Sequence, residues 1–242
     1  MIKWLEDAVF YEVYPQSFRD SNGDGIGDIP GITEKLEYIQ ELGCNALWIN
    51  PCFTSPFYDA GYDVEDYYSV APRYGTNEDL KKLFEAAHQR GMHVLLDLVP
   101  GHTAVTHPWF QESMKAEKNE YTDRYVWTDS LYKRMEDVKG IVSVLRGISP
   151  RPASCGVNCF STQPALNYGF ANITDAGWQQ PTDAPGPMAT REELKNIMRF
   201  WLTLGCDGFR VDMAGSLVKN DEDKKETIRL WQDVRAFLNK EF

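Results

Sequence analysis

Short apolar runs alternate with helical stretches along this chain, and that alternation narrows the fold more than any other feature. Residues 9–14 are a β-branched and aromatic run. Residues 31–42 show helical spacing at Ile32, Leu36 and Ile39 and end at Gly43, which suits the C′ position. Residues 46–49 are nearly all apolar, as a strand buried on both faces should be. Residues 77–90 predict a helix with Asn77 as N-cap and Gly91 as stop. Residues 92–99 are another apolar strand, 191–204 a helix closing on Gly205, 207–211 a fourth strand and 221–240 a fourth helix. Four strand–helix units with short connections imply a parallel sheet. Between the third strand and the third helix, residues 102–190 break the rhythm with aromatics, Pro, Asn and Gly, and read as an inserted subdomain.

A parallel sheet of this kind is either an open doubly wound sheet or part of an eight-stranded barrel. No glycine-rich phosphate loop follows the first strand, which weakens the nucleotide-binding version. Asp63, His102 and Asp212 fall just past the ends of strands, where a barrel carries its catalytic groups.

Asp212 closes the run Gly208-Phe-Arg-Val-Asp212. Period two places Arg210 on the same strand face. An arginine beside a carboxylate favours the ionised form, as a nucleophile requires. A carboxylate nucleophile suggests glycosyl transfer, which also needs a second carboxyl group as acid and base. Asp97, inside an apolar strand, needs a partner whatever its role, because an unpaired buried carboxylate is costly. His107, before Pro108, reads as a loop residue, and Tyr62 could be core.

A second acidic motif is Asp20-Ser-Asn-Gly-Asp-Gly-Ile-Gly-Asp28. Asp20, Asn22, Asp24 and Asp28, with the Ile26 carbonyl, put oxygen donors at loop positions 1, 3, 5, 9 and 7. Position 12 is Gly31, not Glu, so the loop is no EF-hand. The spacing predicts one bound Ca²⁺, favoured over Mg²⁺ because the donors come from a flexible loop; the other reading is a solvated Asn/Asp/Gly turn.

A net charge of −11 argues against nucleic acid and anionic membrane as partners. Five cysteines without framework spacing point to reduced thiols, and the start of the chain has no apolar signal region; the expected location is the cytoplasm. Cys155 and Cys159 lack a second ligand pair, so zinc is not expected.

Five patterns taken together resemble the α-amylase superfamily, glycoside hydrolase family 13, in its oligo-1,6-glucosidase, α-glucosidase and trehalose synthase branch. They are the two motifs above, Phe10-Tyr-Glu-Val-Tyr-Pro-Gln-Ser-Phe18, Gly61-Tyr-Asp-Val-Glu-Asp-Tyr67 and Asp97-Leu-Val-Pro-Gly-His102. The resemblance implies a TIM-type (β/α)8 barrel, of which this chain supplies the first four βα units. Residues 1–102 and 191–242 would be barrel and 103–190 the insertion. It implies that Asp212 is the nucleophile, that Arg210 orients it and that Asp97 supports the arginine. Asp63 and His102 would hydrogen-bond the sugar, with Tyr62 as the platform beneath it. Gln163, in Gln163-Pro-Ala-Leu-Asn167, would lie on the substrate side. The resembling enzymes bind Ca²⁺ at the 20–28 loop.

Gly101 stands where the family usually has Asn, a ligand of another Ca²⁺ in α-amylases that carry it, so that site is not expected. Ala165 replaces a common Asp. Met213 matches neither the 1,6-specific nor the 1,4-specific pattern and leaves linkage open. The family's acid/base Glu and its second Asp follow the fifth and seventh strands and have no counterpart among these residues. The expectation is a retaining hydrolase of malto- or isomalto-oligosaccharides whose isolated 242-residue chain is inactive and self-associates or needs a complementary half. A transglycosylase or isomerase of trehalose synthase type, or a non-catalytic binding module, are the alternatives.

Overall fold

The computed structural model describes residues 2–242. After a 3₁₀ turn at Lys3–Asp7 come β1 (Phe10–Val13), α1 (Pro15–Phe18), α2 (Ile29–Glu34) and α3 (Leu36–Glu41). Next are β2 (Ala46–Ile49), β3 (Phe53–Thr54), β4 (Asp66–Val70), α4 (Asn77–His88) and β5 (His93–Leu98). The chain continues through α5 (Pro108–Ser113), β6 (Ser143–Leu145), β7 (Cys155–Val157), α6 (Pro185–Leu204), β8 (Gly208–Val211) and α7 (Lys225–Glu241).

The four strands expected from the apolar runs form one parallel sheet in the order β1-β2-β5-β8. The register pairs Phe10 with Ala46, Ala46 with His93, and Asp97 with Arg210. The inner strands β2 and β5 are mostly buried, whereas β8 is half-buried along its length. Among the described residues β1 and β8 have no further partner strand, so the sheet does not close into a barrel. Two short hairpins, β3–β4 and β6–β7, lie outside it and left no periodic signal.

Local chemistry explains where the expected helix limits shift. Helix α4 is capped by Thr76 and not by Asn77: Thr76 and Asp79 form a capping box. The Asn77 side chain instead accepts from Val70 N (2.8 Å) and donates to Tyr68 O (2.8 Å), tying the helix to β4. The 31–42 helix is two helices, α2 and α3, meeting at Lys35 (φ −106°, ψ 9°). Helix α6 begins at Pro185, with proline at the first turn, ahead of the expected 191. It ends on Gly205 at φ 116°, a left-handed cap.

The core lies between the sheet and its helices. Trp201 of α6 is fully buried, stacks on Phe53 at 5.0 Å and donates its indole N–H to Tyr67 O (2.8 Å). Burying an aromatic of this size is worth about 2–3 kcal/mol and fixes α6 against the β3–β4 hairpin.

Candidate active site

Strand pairing brings the acidic residues together. Asp97 and Arg210 are register partners on adjacent parallel strands, and the Asp212 amide donates to Leu98 O (2.8 Å), carrying the pairing one residue past β8. The Arg210 Nη1 donates to Asp97 Oδ1 (3.0 Å), Asp97 Oδ2 (3.2 Å) and Asp212 Oδ1 (2.9 Å). Its guanidinium sits 4.9 Å above the Trp48 ring. Asp212 Oδ2 makes no hydrogen bond among the described residues.

Asp97 is 1% exposed and also receives Trp48 Nε1 (3.0 Å) and the Tyr62 hydroxyl (3.2 Å). Burial pushes its carboxyl up to about 6, against the pull of Arg210 and the three donor side chains. Burial opposes the Arg210 charge too, but Asp97 and Asp212 outweigh it and raise its pKa. Tyr62 is pushed up to about 12 by burial and then by Asp97, so it stays a neutral donor. Asn50 donates to the Tyr62 hydroxyl (3.4 Å) and to Glu12 (3.2 Å). Glu12, Asn50 and Tyr62 line an open pocket of about 410 Å³ with Tyr14 and Ala60.

The other expected residues lie deeper than a substrate contact requires. Asp63 is fully buried and accepts from Ser55 Oγ (2.9 Å), Tyr58 N (2.8 Å) and Asp59 N (3.2 Å). It therefore anchors the 55–61 loop, where Phe57 and Ala60 hold positive φ. Gln163 is fully buried; its amide donates to Asp59 Oδ2 (2.7 Å) and accepts from Phe160 N (3.0 Å). It joins the 55–61 loop to the 159–163 segment. His102 pairs its Nε2 with Tyr62 O (3.0 Å), while its buried Nδ1 has no partner. Burial pulls its pKa down to about 4, so it is neutral. His107, read as a loop residue, caps α5: Nδ1 accepts from Trp109 N (3.0 Å). Gly101 allows a close approach, since a Cβ there would meet Asn158 Nδ2 at 2.4 Å.

Trp48 and Asn50 escaped the sequence reading. Asn50 carries a usable signal, because it too is a polar residue just past a strand end. Trp48 carries none in a strand otherwise apolar.

In the 20–28 loop the donors already serve backbone amides. Asp20 accepts from Asn22 N (3.1 Å), Gly23 N (2.6 Å) and Gly25 N (2.8 Å). The Gly25 and Gly23 amides lower its pKa. Asn22 accepts from Asp24 N (2.9 Å) and Asp24 from Ile26 N (2.8 Å). Asp28 caps α2 through Gly31 N (2.6 Å) and takes Ser21 N (3.1 Å). Among the described residues no three His, Cys, Asp or Glu side chains gather as a metal site. Nor is any helix long and apolar enough to cross a membrane.

The family described as alpha amylase, catalytic domain, matches residues 12–238. The chain is 38% identical over 219 residues to an oligo-1,6-glucosidase of a Bacillus species, covering 90% of this chain and 40% of that protein. It is 40% identical over 243 residues to the trehalose synthase/amylase TreS of Mycolicibacterium smegmatis, covering 98% and 37%. The solved trehalulose synthase MutB of Pseudomonas mesoacidophila superposes with TM-score 0.81 at 32% identity, covering 99% of this chain and 44% of that one. The chain thus spans about two fifths of the length of the curated relatives it matches. Four parallel strands, the acidic residues at their ends and a family match running from β1 into α7 make this chain a member of the α-amylase catalytic-domain family.

Proposed function

We propose that the chain carries the nucleophile side of a retaining α-glucoside-processing site. The observation that carries this is the single Arg210 Nη1 shared by Asp97 and Asp212, which fixes one Asp212 oxygen and leaves the other free. In this reading Asp212 Oδ2 bonds to the anomeric carbon as the glycosidic C–O bond breaks, and the leaving oxygen takes a proton from an acid. Arg210 positions the attacking carboxylate and Asp97 positions Arg210. Tyr62 forms the sugar platform beside the cavity. His102, bonded through Nε2 to Tyr62 O, holds the backbone of the platform residue. Asp63 and Gln163 contribute by holding the cleft walls. Residues 103–190 form the subdomain over the cleft. The names of the relatives, oligo-1,6-glucosidase and trehalose synthase, support an α-glucoside as substrate.

Neither of the two buried carboxylates next to the site, Asp97 and Asp63, is free to act as the acid. Asp97 is spent on Arg210, Trp48 and Tyr62, and Asp63 on its own loop. General acid catalysis is worth about 10² to 10⁴ in rate. The chain alone is therefore expected not to hydrolyse maltose or isomaltose above background.

Calcium at the 20–28 loop belongs to the same reading. The donor set is hard oxygen, which suits Ca²⁺. A carboxylate has about four lone-pair sites, so the amides do not exhaust Asp20 and Asp24. Asp20, Asn22, Asp24, Asp28 and the Ile26 carbonyl would hold the ion, which would stabilise the loop.

A glycosyl fluoride tests the nucleophile, because fluoride leaves without a proton donor. Incubation with 5-fluoro-α-glucosyl fluoride should add one sugar mass at Asp212, and Asp212→Asn should remain unlabelled. A label on another carboxylate, or none, would sink the assignment.

A further inference from the structure

A second cavity of about 410 Å³ lies wholly within residues 118–180 and shares no lining residue with the Arg210 site. Its volume is in the range of small-molecule sites. Trp178 supplies aromatic surface, Trp127 being buried beneath Arg151, and Asp123, Arg151, Asn167 and Gln180 supply polar groups. We propose that this cavity is a second carbohydrate site, binding one or two pyranose units of an α-glucoside away from Asp212.

The walls are built in advance. Asn167 ties them together by donating to Asp123 O (3.0 Å) and Gln180 Oε1 (3.2 Å). Its own Oδ1 accepts from Gly169 N (3.0 Å). The 174–179 loop is stiffened by Gln179 Oε1, which accepts from Thr174 N (2.7 Å) and Asp175 N (3.1 Å). The motif at 163–167 thus serves both sites: Gln163 braces the cleft wall, and Asn167 braces this one.

The polar groups left over choose the ligand. The Asp123 carboxylate makes no hydrogen bond or ion pair among the described residues, although Arg151 lies close enough to feel it. Arg151 spends Nη1 on Ser113 O (3.1 Å) and Thr122 O (2.7 Å), lies 4.6 Å over the Trp127 ring and leaves its other donors open. Asp129 shares Lys133 (3.2 Å) with Asp175 (2.5 Å). The Trp178 indole N–H points toward Asp175 without reaching hydrogen-bond geometry. An anion would meet Asp123, and a cation would meet Arg151. A neutral polyol satisfies both at once, because each hydroxyl donates and accepts, and its C–H face suits an aromatic wall. Choosing an α-glucoside among polyols rests on the function proposed above; the site itself rests on the cavity.

The test is a titration of the purified chain with maltotriose, followed by tryptophan fluorescence and calorimetry. Asp123→Asn, which keeps shape and removes charge, and Trp178→Ala should each weaken binding at least tenfold. Both should still be labelled at Asp212 by the glycosyl fluoride. Tyr62→Ala should lose labelling and keep the maltotriose site. The proposal is overturned if maltotriose does not bind, if both variants bind as the parent does, or if Tyr62→Ala abolishes binding. Maltotriose binding without Asp212 labelling would overturn the nucleophile instead and leave this site standing.

Discussion

Asp97 and Asp212 share one guanidinium supplied by a residue 113 positions from Asp97, whereas Asp20, Asn22 and Asp24 are satisfied by amides two to five positions away. Both regions concentrate oxygen acceptors, but only the first depends on the sheet being assembled. At the strand ends, burial makes each polar group costly, and the charge of Arg210 offsets that cost. In the 20–28 loop, water and turn geometry suffice. The strand-end region should therefore respond strongly to pH and to loss of one partner, and the loop should not.

Acid gives the largest expected effect. His102 and His107 are buried and neutral, their pKa values pulled down by burial to about 4 and about 3. The unfolded chain binds more protons than the folded one below about pH 6.5, so their contribution is complete above that value and lost as pH falls. Each should cost roughly 2–3 kcal/mol between pH 6.5 and 4.5. Asp97 works the other way. Its raised folded pKa of about 6 means that the folded form gains a proton first, which returns roughly 2 kcal/mol over the same range. The expected net is a loss of about 3 kcal/mol by urea unfolding. His107→Asn, which can keep the α5 cap, should reduce the slope, and Asp97→Asn should steepen it. A flat profile would mean that these groups stay hydrated.

Next in size is Arg210→Met. It strands Asp97 in a dry site without its counter-charge, a change usually worth about 3–5 kcal/mol. Arg210 keeps 35% of its side chain exposed, so solvent screening brings the expectation to about 2–3 kcal/mol at pH 8. The penalty should shrink at pH 5, where Asp97 takes a proton. Equal losses at both pH values would show that Arg210 acts through packing on Trp48 and not through charge.

The same contrast explains what was legible beforehand. Period two put Arg210 and Asp212 on one face, and apolar runs marked all four sheet strands, because both signals are local. The cap of α4 moved through side chains with more than one use: Thr76 took it, while Asn77 went to β4. Trp48 on Asp97 and Gln163 on Asp59 join residues 49 and 104 positions apart. No spacing rule reaches that far. The resemblance placed Asp63 and Gln163 near a sugar; in the structure both are buried and their hydrogen bonds hold the 55–61 loop and the 159–163 segment.

The smallest effect concerns the loop, and it decides whether the contrast holds without qualification. If the 20–28 turn is complete with its amides, adding Ca²⁺ should leave unfolding unchanged. If Asp20, Asn22, Asp24 and Asp28 bind the ion, calcium attaches to the folded state alone and stabilises it by mass action. At tenfold excess over Kd that is about 1.4 kcal/mol, or a rise in Tm of roughly 3–6 °C for a chain of this size. We expect such a rise, reversed by chelator and absent in Asp24→Ala, with one Ca²⁺ per chain by metal analysis. Asp24 is the informative position, since its Oδ1 serves only the neighbouring Ile26 amide. Asp28→Ala would also remove the α2 cap and confuse the two effects. An unchanged Tm together with unchanged metal content in Asp24→Ala would leave the loop as a turn, and the acidic groups of this chain would then divide cleanly into those held by the sheet and those held by their own backbone.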